Sequence, residues 1–243
     1  MSARTVAIIQ ARCGSTRLPR KVLAPILDRP MLWWVVTRVR AARLVDEVVV
    51  ATTTRSEDDE LEALCQRERW CCFRGSEMDV LDRYHGAARE YGAKVVVRIT
   101  SDCPLIDPDV VDLVIATFKA GVPAVDYASN CQRRTYPRGL DTEVFSEGAL
   151  ERAWREDKRP DWREHVTPYI YRGGGFRLAA VANTTDFSAH RWTVDTPEDL
   201  QFVRTVCKHL GRKTFSWRQL LAVLHENPDW VQLNASVHQK TPS

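Results

Sequence analysis

Apolar runs alternating with amphipathic stretches through the first half of the chain constrain its fold more than any other feature. Lys94 to Thr100 is the strongest run. Its Val95, Val96, Val97 and Ile99 leave almost no polar face, the pattern of a strand covered on both sides. Val6 to Ile9 and Glu47 to Ala51 read as further strands, and Cys71 to Phe73 as a short one. Helices are predicted between them. Pro30 suits a first helical turn, with Leu32, Val35, Val36 and Val39 on one stripe. Ser56-Glu-Asp-Asp starts a second helix, whose Leu61, Leu64 and Cys65 face the core. Val80, Leu81, Tyr84, Ala88 and Tyr91 form a third stripe, and Pro108 introduces a fourth with Val110, Val111, Val114, Ile115 and Phe118. Short connections between such elements specify stacked βα units: an α/β fold with a largely parallel sheet.

The alternation loosens after about residue 120. Tyr127 to Asn130, Glu143 to Phe145, Phe176 to Ala182 and Arg191 to Val194 are expected strands, and Glu147 to Tyr171 a Trp- and charge-rich helical stretch. Residues from about 126 to 185 thus read as an insertion or cap on a single domain spanning 1–243. Thr196-Pro-Glu-Asp199 starts a helix by hydroxyl capping, proline at its first position and acids in its first turn. Ser216 to Leu233 reads as helical, and about 234–243 as a disordered tail.

Several function classes are disfavoured at once. No apolar run approaches the roughly 18 residues of a membrane span, and the N-terminus lacks the features of a secretory signal. A net charge of +3, with cations dispersed among 32 acids, does not argue for nucleic acid. The seven cysteines are an odd number without C-x-x-C spacing, and read as reduced thiols of a cytoplasmic protein. Cys13 and Cys103 lie within the motifs of interest, but the sequence places no base beside either to activate it as a nucleophile.

Residues 10 to 22, Gln-Ala-Arg-Cys-Gly-Ser-Thr-Arg-Leu-Pro-Arg-Lys-Val, follow directly on the first strand, where open α/β sheets bind ligands. Arg12, Arg17, Arg20 and Lys21 supply more charge than a turn needs; Gly14 permits close backbone approach, and Ser15 and Thr16 add hydroxyl donors. The stretch has the composition of a phosphate-binding loop, or more simply of a solvated basic turn. It matches neither G-x-G-x-x-G nor the P-loop pattern, so its side chains must carry the binding. Asp102 ends the strongest strand and Asp195 a later one. Both are candidate magnesium ligands, since that ion takes one or two carboxylates plus phosphate oxygens; both could equally be turn or cap residues. Tyr136 to Glu143 and Arg163-Glu164-His165 are polar clusters that could bind a second, anionic substrate, with Arg138 in a turn that can present a guanidinium.

Together, Ala11 to Lys21, Ser101-Asp-Cys-Pro-Leu-Ile-Asp-Pro108 and Arg191-Trp-Thr-Val-Asp-Thr-Pro-Glu-Asp-Leu200 resemble the cytidylyltransferases that make CMP-activated sugar acids. Phe73 to Tyr84, Tyr136 to Asp141 and Arg163 to Pro168 point to the spore-coat polysaccharide branch. The resemblance spans about residues 5–205. It implies a nucleotide-diphospho-sugar transferase-like fold, a three-layer α/β/α arrangement with a mixed, mostly parallel sheet. It also implies the reaction of CTP with an acidic sugar to give a CMP-sugar and pyrophosphate.

By the resemblance, Ala11, Arg12, Gly14, Ser15, Arg17 and Lys21 form the nucleotide and triphosphate loop, and Arg12, Arg17, Lys21 and Asp102 are catalytic. Asp102 and Asp195 would hold Mg2+. Gly75, Ser76 and Asp79 fall on the cytidine side, and Tyr136, Arg138, Asp141, Glu164 and His165 on the acceptor side. A homodimer is implied; the Trp154 to Tyr171 segment could form its interface, or its aromatics could equally serve the cap's own core. Arg20 stands where this branch often has glycine, and Ser101 where glycine commonly precedes the metal aspartate. The acceptor stays open among ulosonic acids, other sugar acids and phosphonates. A nucleotide-sugar-dependent glycosyltransferase and a non-catalytic nucleotide-binding protein are the alternative readings.

Overall fold

In the computed structural model, which describes residues 3–211 and 215–239, the first strand lies at the centre of the main sheet. This strand, β1 (Thr5–Gln10), pairs in parallel with β4 (Glu47–Thr53) on one side and β6 (Val95–Thr100) on the other. The chain moves outward from β1 to β4 and β5 (Cys71–Gly75), then crosses back to β6. Strand order therefore reverses beside β1, and the loops after β1 and β6 diverge to leave a crevice, the usual ligand position in such sheets.

Both faces of β1 are covered, as its composition predicts. Ala7 and Ile9 join the core beneath α1 (Met31–Arg40), α2 (Asp59–Glu68), α4 (Pro108–Ala120) and α8 (Pro197–Leu210). Val6 and Ile8 join the opposite core beneath α3 (Val80–Glu90) and α5 (Glu147–Glu156). Each buried Val or Ile side chain contributes roughly 1.5–3 kcal/mol, so burial on both faces anchors β1 at the centre of the sheet. A two-residue hairpin, β2 (Pro25–Ile26) and β3 (Arg29–Pro30), leads from the basic loop into α1. Thr196 and Asp199 form a reciprocal capping box at the start of α8, in the turn where capping was expected.

Within residues 126–185, β7 (Tyr127–Ser129), β8 (Glu143–Ser146) and β9 (Leu178–Ala180) complete the sheet in the order β5-β4-β1-β6-β8-β7-β9. β8 is antiparallel to both β6 and β7, which makes the sheet mixed. The expected long helix breaks into α5, α6 (Pro160–His165) and α7 (Pro168–Arg172). Its breaks precede prolines, which disfavour helical geometry in the residue before them. Its aromatics pack within the chain. Trp154 stacks on His85 at 4.1 Å, and Tyr169 and Tyr171 contact Phe176 and Tyr127.

Arg191 to Val194 forms no ladder. The Trp192 N–H donates to Arg138 O and the Val194 N–H to Asp102 O, so its donors are spent on two loops. The end of the chain packs as α9 (Trp217–Glu226), α10 (Asp229–Gln232) and a turn, broken at Asn227-Pro228. Within the stretch expected to be a disordered tail, Asn234 is buried and donates from Nδ2 to Arg191 O and to Asp199 Oδ1; residues 240–243 lie outside the described residues.

Candidate active site

Beyond the carboxyl ends of β1 and β6 lies a cleft of about 390 Å³, lined by Gln10, Ala11, Arg12, Gly14, Ser15, Thr16, Arg17 and Lys21 from the basic loop. Asp102 and Asp195 line it too, with Val80, Arg83, Thr100, Ser101, Glu164 and His165. The two acids and the loop thus face one another, although Lys21 and Asp195 are 174 positions apart.

The loop rests on a buried acid. Asp58 is fully buried at the end of a 3-10 turn (Ser56–Asp58); its Oδ1 accepts the Cys13 N–H at 2.7 Å and its Oδ2 accepts from Thr53 Oγ1. The Cys13 carbonyl accepts the N–H groups of Ser15 and Arg20, which closes the turn. Arg20 sits there at φ 57°, a left-handed conformation that favours glycine, the residue the resemblance leads one to expect at this position. Gly14 is not at positive φ. Burial, and then the Asp58 charge, pushes the Cys13 thiol up to about 12. Burial and Asp102 likewise push Cys103 well above the ordinary thiol value, so neither sulfur is prepared as a nucleophile.

Lys21 stands between the two acids. Its Nζ donates to Asp195 Oδ1 at 2.8 Å, to Val194 O at 2.7 Å and to Asp102 Oδ2 at 3.4 Å. Burial would lower the Lys21 pKa, but Asp102 and Asp195 outweigh it and hold the ammonium above its usual value. Arg17 and Arg191 also reach Asp195 Oδ2, each at 3.0 Å. Burial would raise the Asp195 carboxyl, yet Lys21, Arg191 and Arg17 hold it below the usual range. Arg191 was not singled out in the sequence; it is anchored by Asp199, which accepts from it at 2.9 Å through both carboxylate oxygens.

A divalent cation is testable against this donor set. Among the described residues no three His, Cys, Asp or Glu side chains converge as metal ligands, so a metal would have only the two carboxylates from the protein. That is the arrangement magnesium uses when substrate phosphates and water complete its shell. Lys21 stands between them and Arg17 and Arg191 also engage Asp195, so a metal would bind there in exchange for these cations.

A second cavity of about 490 Å³ adjoins the first and shares Thr100 and His165 with it. Arg98, Cys131, Gln132, Arg134, Asp141, Glu143, Thr167, Tyr171 and Arg172 line the remainder. Arg98 forms an ion pair with Glu143, whose Oε1 also accepts from Tyr127 and Thr167 at 2.6 Å each. Arg134 holds Asp141 bidentately, at 2.6 and 2.9 Å. Between His165 and Thr167 the chain makes a γ-turn: the Thr167 N–H donates to His165 O at 2.8 Å, and Val166 is forced to φ 69°. Such strain at a β-branched residue persists only where the surroundings fix it, and here Val166 is fully buried. The turn delivers His165 and Thr167 to the two cavities. Burial, and then Arg98, keeps the His165 imidazole below its usual pKa.

Several expected contacts fall elsewhere. Tyr136 is buried against Trp217, and Arg138 is bridged to Arg191 through the backbone; neither lines either of these two cavities. Gly139 explains this placement, since at φ 104° a Cβ there would lie 2.7 Å from the Trp192 carbonyl carbon, and the turn is pressed against residues 192–193. Gly75, Ser76 and Asp79 also lie outside both cavities. Asp79 caps α3 by accepting the Asp82 N–H and pairs with Arg163 at 2.7 Å, while Ser76 O accepts from Arg83.

The family model for cytidylyltransferases matches residues 6–227, and so takes in both cavities. The chain belongs to the cytidylyltransferase family. Its enzymes are nucleotidyltransferases, which favours that activity over the glycosyltransferase and binding-only readings. The spore coat polysaccharide biosynthesis protein SpsF of Bacillus subtilis is 36% identical over 232 residues, covering 91% of this chain and 94% of the relative. A cytidylyltransferase from Leptospira borgpetersenii superposes with a TM-score of 0.92 at 34% identity, over 98% of this chain and 100% of that one. CMP:2-keto-3-deoxy-manno-octonic acid synthetase, solved in complex with CTP, shares the fold at a TM-score of 0.64 and 21% identity, covering 86% of this chain and 100% of its own. These neighbours bear out the nucleotide-diphospho-sugar transferase-like fold and the spore-coat branch.

Proposed function

We propose that this cytidylyltransferase transfers CMP from CTP to a small acidic sugar acceptor of the ulosonic-acid type and releases pyrophosphate. The observation that carries the reading is the convergence of Arg17, Lys21, Asp102 and Asp195 in one cleft that opens onto a second, arginine-lined cavity. The first cavity suits a triphosphate. The second suits an acceptor with one anionic group and several hydroxyls, because its Asp141 and Glu143 are each matched by an arginine and Arg172 adds one more.

In-line attack on the α-phosphorus requires two anions to be held close and the charge on phosphate oxygens to be neutralised. Arg17 and Lys21 would receive the departing pyrophosphate, exchanging their carboxylate partners for phosphate oxygens. Arg191 would keep Asp195 in place while that exchange occurs. Mg2+ held by Asp102 and Asp195 would supply Lewis-acid polarisation of the phosphate and lower the pKa of the attacking hydroxyl. His165, at the junction of the cavities, would orient the acceptor as a neutral imidazole.

A homodimer and a cytoplasmic location belong to the same reading. The latter is supported by seven cysteines that are all free thiols. Among the described residues no helix is long and apolar enough to cross a membrane. The test is CTP-dependent pyrophosphate release across a panel of sugar acids, with UTP, ATP and GTP as controls. Release with at least one acceptor and CTP is expected; no release with any would refute the reading.

A further inference from the structure

Two buried atoms of side chains that line the first cavity, Arg83 Nε and Gln10 Oε1, make no hydrogen bond, one a donor and the other an acceptor. Arg83, on α3, is only 2% exposed, yet its Nε makes no hydrogen bond; Nη1 donates to Ser76 O at 2.6 Å. Asp58 and Glu77 act on it through space without forming an ion pair. A guanidinium buried this way is costly unless something pairs with it. Gln10, the last residue of β1, has a buried Oε1 that likewise accepts no hydrogen bond. Side chains alternate along a strand, so Gln10 lies on the face of Val6 and Ile8, which α3 covers. Both residues line the cleft with Ala11, Val80 and Thr100, whereas Arg17, Lys21, Asp102 and Asp195 gather the charged groups.

We infer that Arg83 and Gln10 read the base of the nucleotide and select cytosine over uracil. This rests on the proposed CTP-dependent reaction. The argument is one of complementary edges. Cytosine presents two adjacent acceptors, O2 and N3, and then a donor, the N4 amino group. A guanidinium offers donors in a fixed fork, and a glutamine oxygen accepts. Uracil presents N3–H and O4 in place of N3 and the amino group, so it would set donor against donor at Arg83 and acceptor against acceptor at Gln10. A site that leaves buried polar groups unpaired with the wrong ligand discriminates strongly. The same pairing gives the buried Arg83 and Gln10 atoms their partners.

The experiment titrates the full chain and its Arg83→Gln, Arg83→Lys and Gln10→Leu variants calorimetrically with CTP, UTP and inorganic tripolyphosphate. The wild type is expected to bind CTP at least about tenfold more tightly than UTP. Arg83→Gln and Gln10→Leu should each cut that ratio at least about fivefold, chiefly by weakening CTP, with tripolyphosphate affinity held within about twofold. Equal loss of CTP, UTP and tripolyphosphate would put Arg83 on the phosphates and overturn the inference while leaving the reaction intact. Equal wild-type affinity for CTP and UTP would overturn it too. A wild type that binds tripolyphosphate but neither nucleotide would instead refute the CTP reading itself. Should Arg83→Gln lose its cooperative unfolding, Gln10→Leu decides, and an unchanged CTP to UTP ratio in that variant sinks the inference.

Discussion

Lys21 donates from Nζ to Asp195 Oδ1 at 2.8 Å, joining the basic loop after the first strand to an acid 174 positions later. With Asp102 3.4 Å from the same ammonium, a lysine stands where a divalent cation is proposed. Lys21→Met should therefore weaken nucleotide binding and leave two carboxylates facing each other, at a cost of about 1–3 kcal/mol in stability. Without nucleotide, millimolar Mg2+ should raise the unfolding midpoint of the variant more than that of the wild type. Equal shifts in a thermal melt would count against the shared cation position.

The two acids should differ in what their removal does to the fold. The Asp102 carboxylate is held by two long contacts, from Lys21 Nζ at 3.4 Å and Cys103 Sγ at 3.5 Å, whereas Asp195 neutralises parts of Lys21, Arg17 and Arg191. Asp102→Ala is expected to abolish transfer with the unfolding midpoint little changed. Asp195→Ala should abolish transfer and also cost about 3 kcal/mol, because buried cations lose their counter-charge. Near-normal turnover of Asp102→Ala in saturating Mg2+ would remove its proposed metal role.

Stability should depend on pH in opposite senses for the two partners. Asp195 is held below its ordinary 3.8, so its contribution is present above that value and is lost as pH falls through the lower folded-state pKa. Lys21 is held above its ordinary 10.5, so its contribution is full below that value and is lost as pH rises through the higher folded-state pKa. Urea unfolding should show a shallower acid limb in Asp195→Asn and a shallower alkaline limb in Lys21→Met.

Arg20→Gly removes a side chain from a left-handed backbone position and gives up an exposed ion pair with Glu60. Surface pairs contribute little, so the relief of backbone strain should prevail and the unfolding midpoint should rise. Differential scanning calorimetry reads the sign directly, and a fall would show that Arg20 supports the loop.

Glu143→Gln leaves Arg98 without its buried counter-charge and should destabilise the chain by about 3–5 kcal/mol in urea titrations. Tyr127→Phe removes one of the hydrogen bonds to the same carboxylate and should cost only about 1–2 kcal/mol. Similar losses in both would mean that the aromatic packing, and not the ion pair, holds β6 to β8.

Much of the site was legible because the basic loop and Asp102 follow the strands β1 and β6, and Asp195 immediately precedes a capped helix start. The loop after β1, Asp102 and Asp195 stand out by position and charge. Arg83 and Arg98 did leave a mark: Arg83 falls on the apolar stripe of α3 between Val80 and Ala87, and Arg98 interrupts the most apolar strand. A charge on a face that must be buried signals a partner or a ligand. Where Tyr136 and Arg138 sit was not legible, because a polar cluster in a turn looks alike whether it faces a cavity or, as here, packs on Trp217 and Arg191.

By itself the sequence determined the alternation of strands and helices, the burial of β1 and β6 on both faces, and the position of the basic loop, since periodicity and capping act over a few residues. Only the tertiary structure decided that β8 and β7 run antiparallel to β6 and β8 respectively, that residues 191–195 are bound to loops, and that Lys21 meets Asp195. Those choices depend on strand order and on pairing buried charges between segments far apart in sequence, and no local pattern of side chains encodes them.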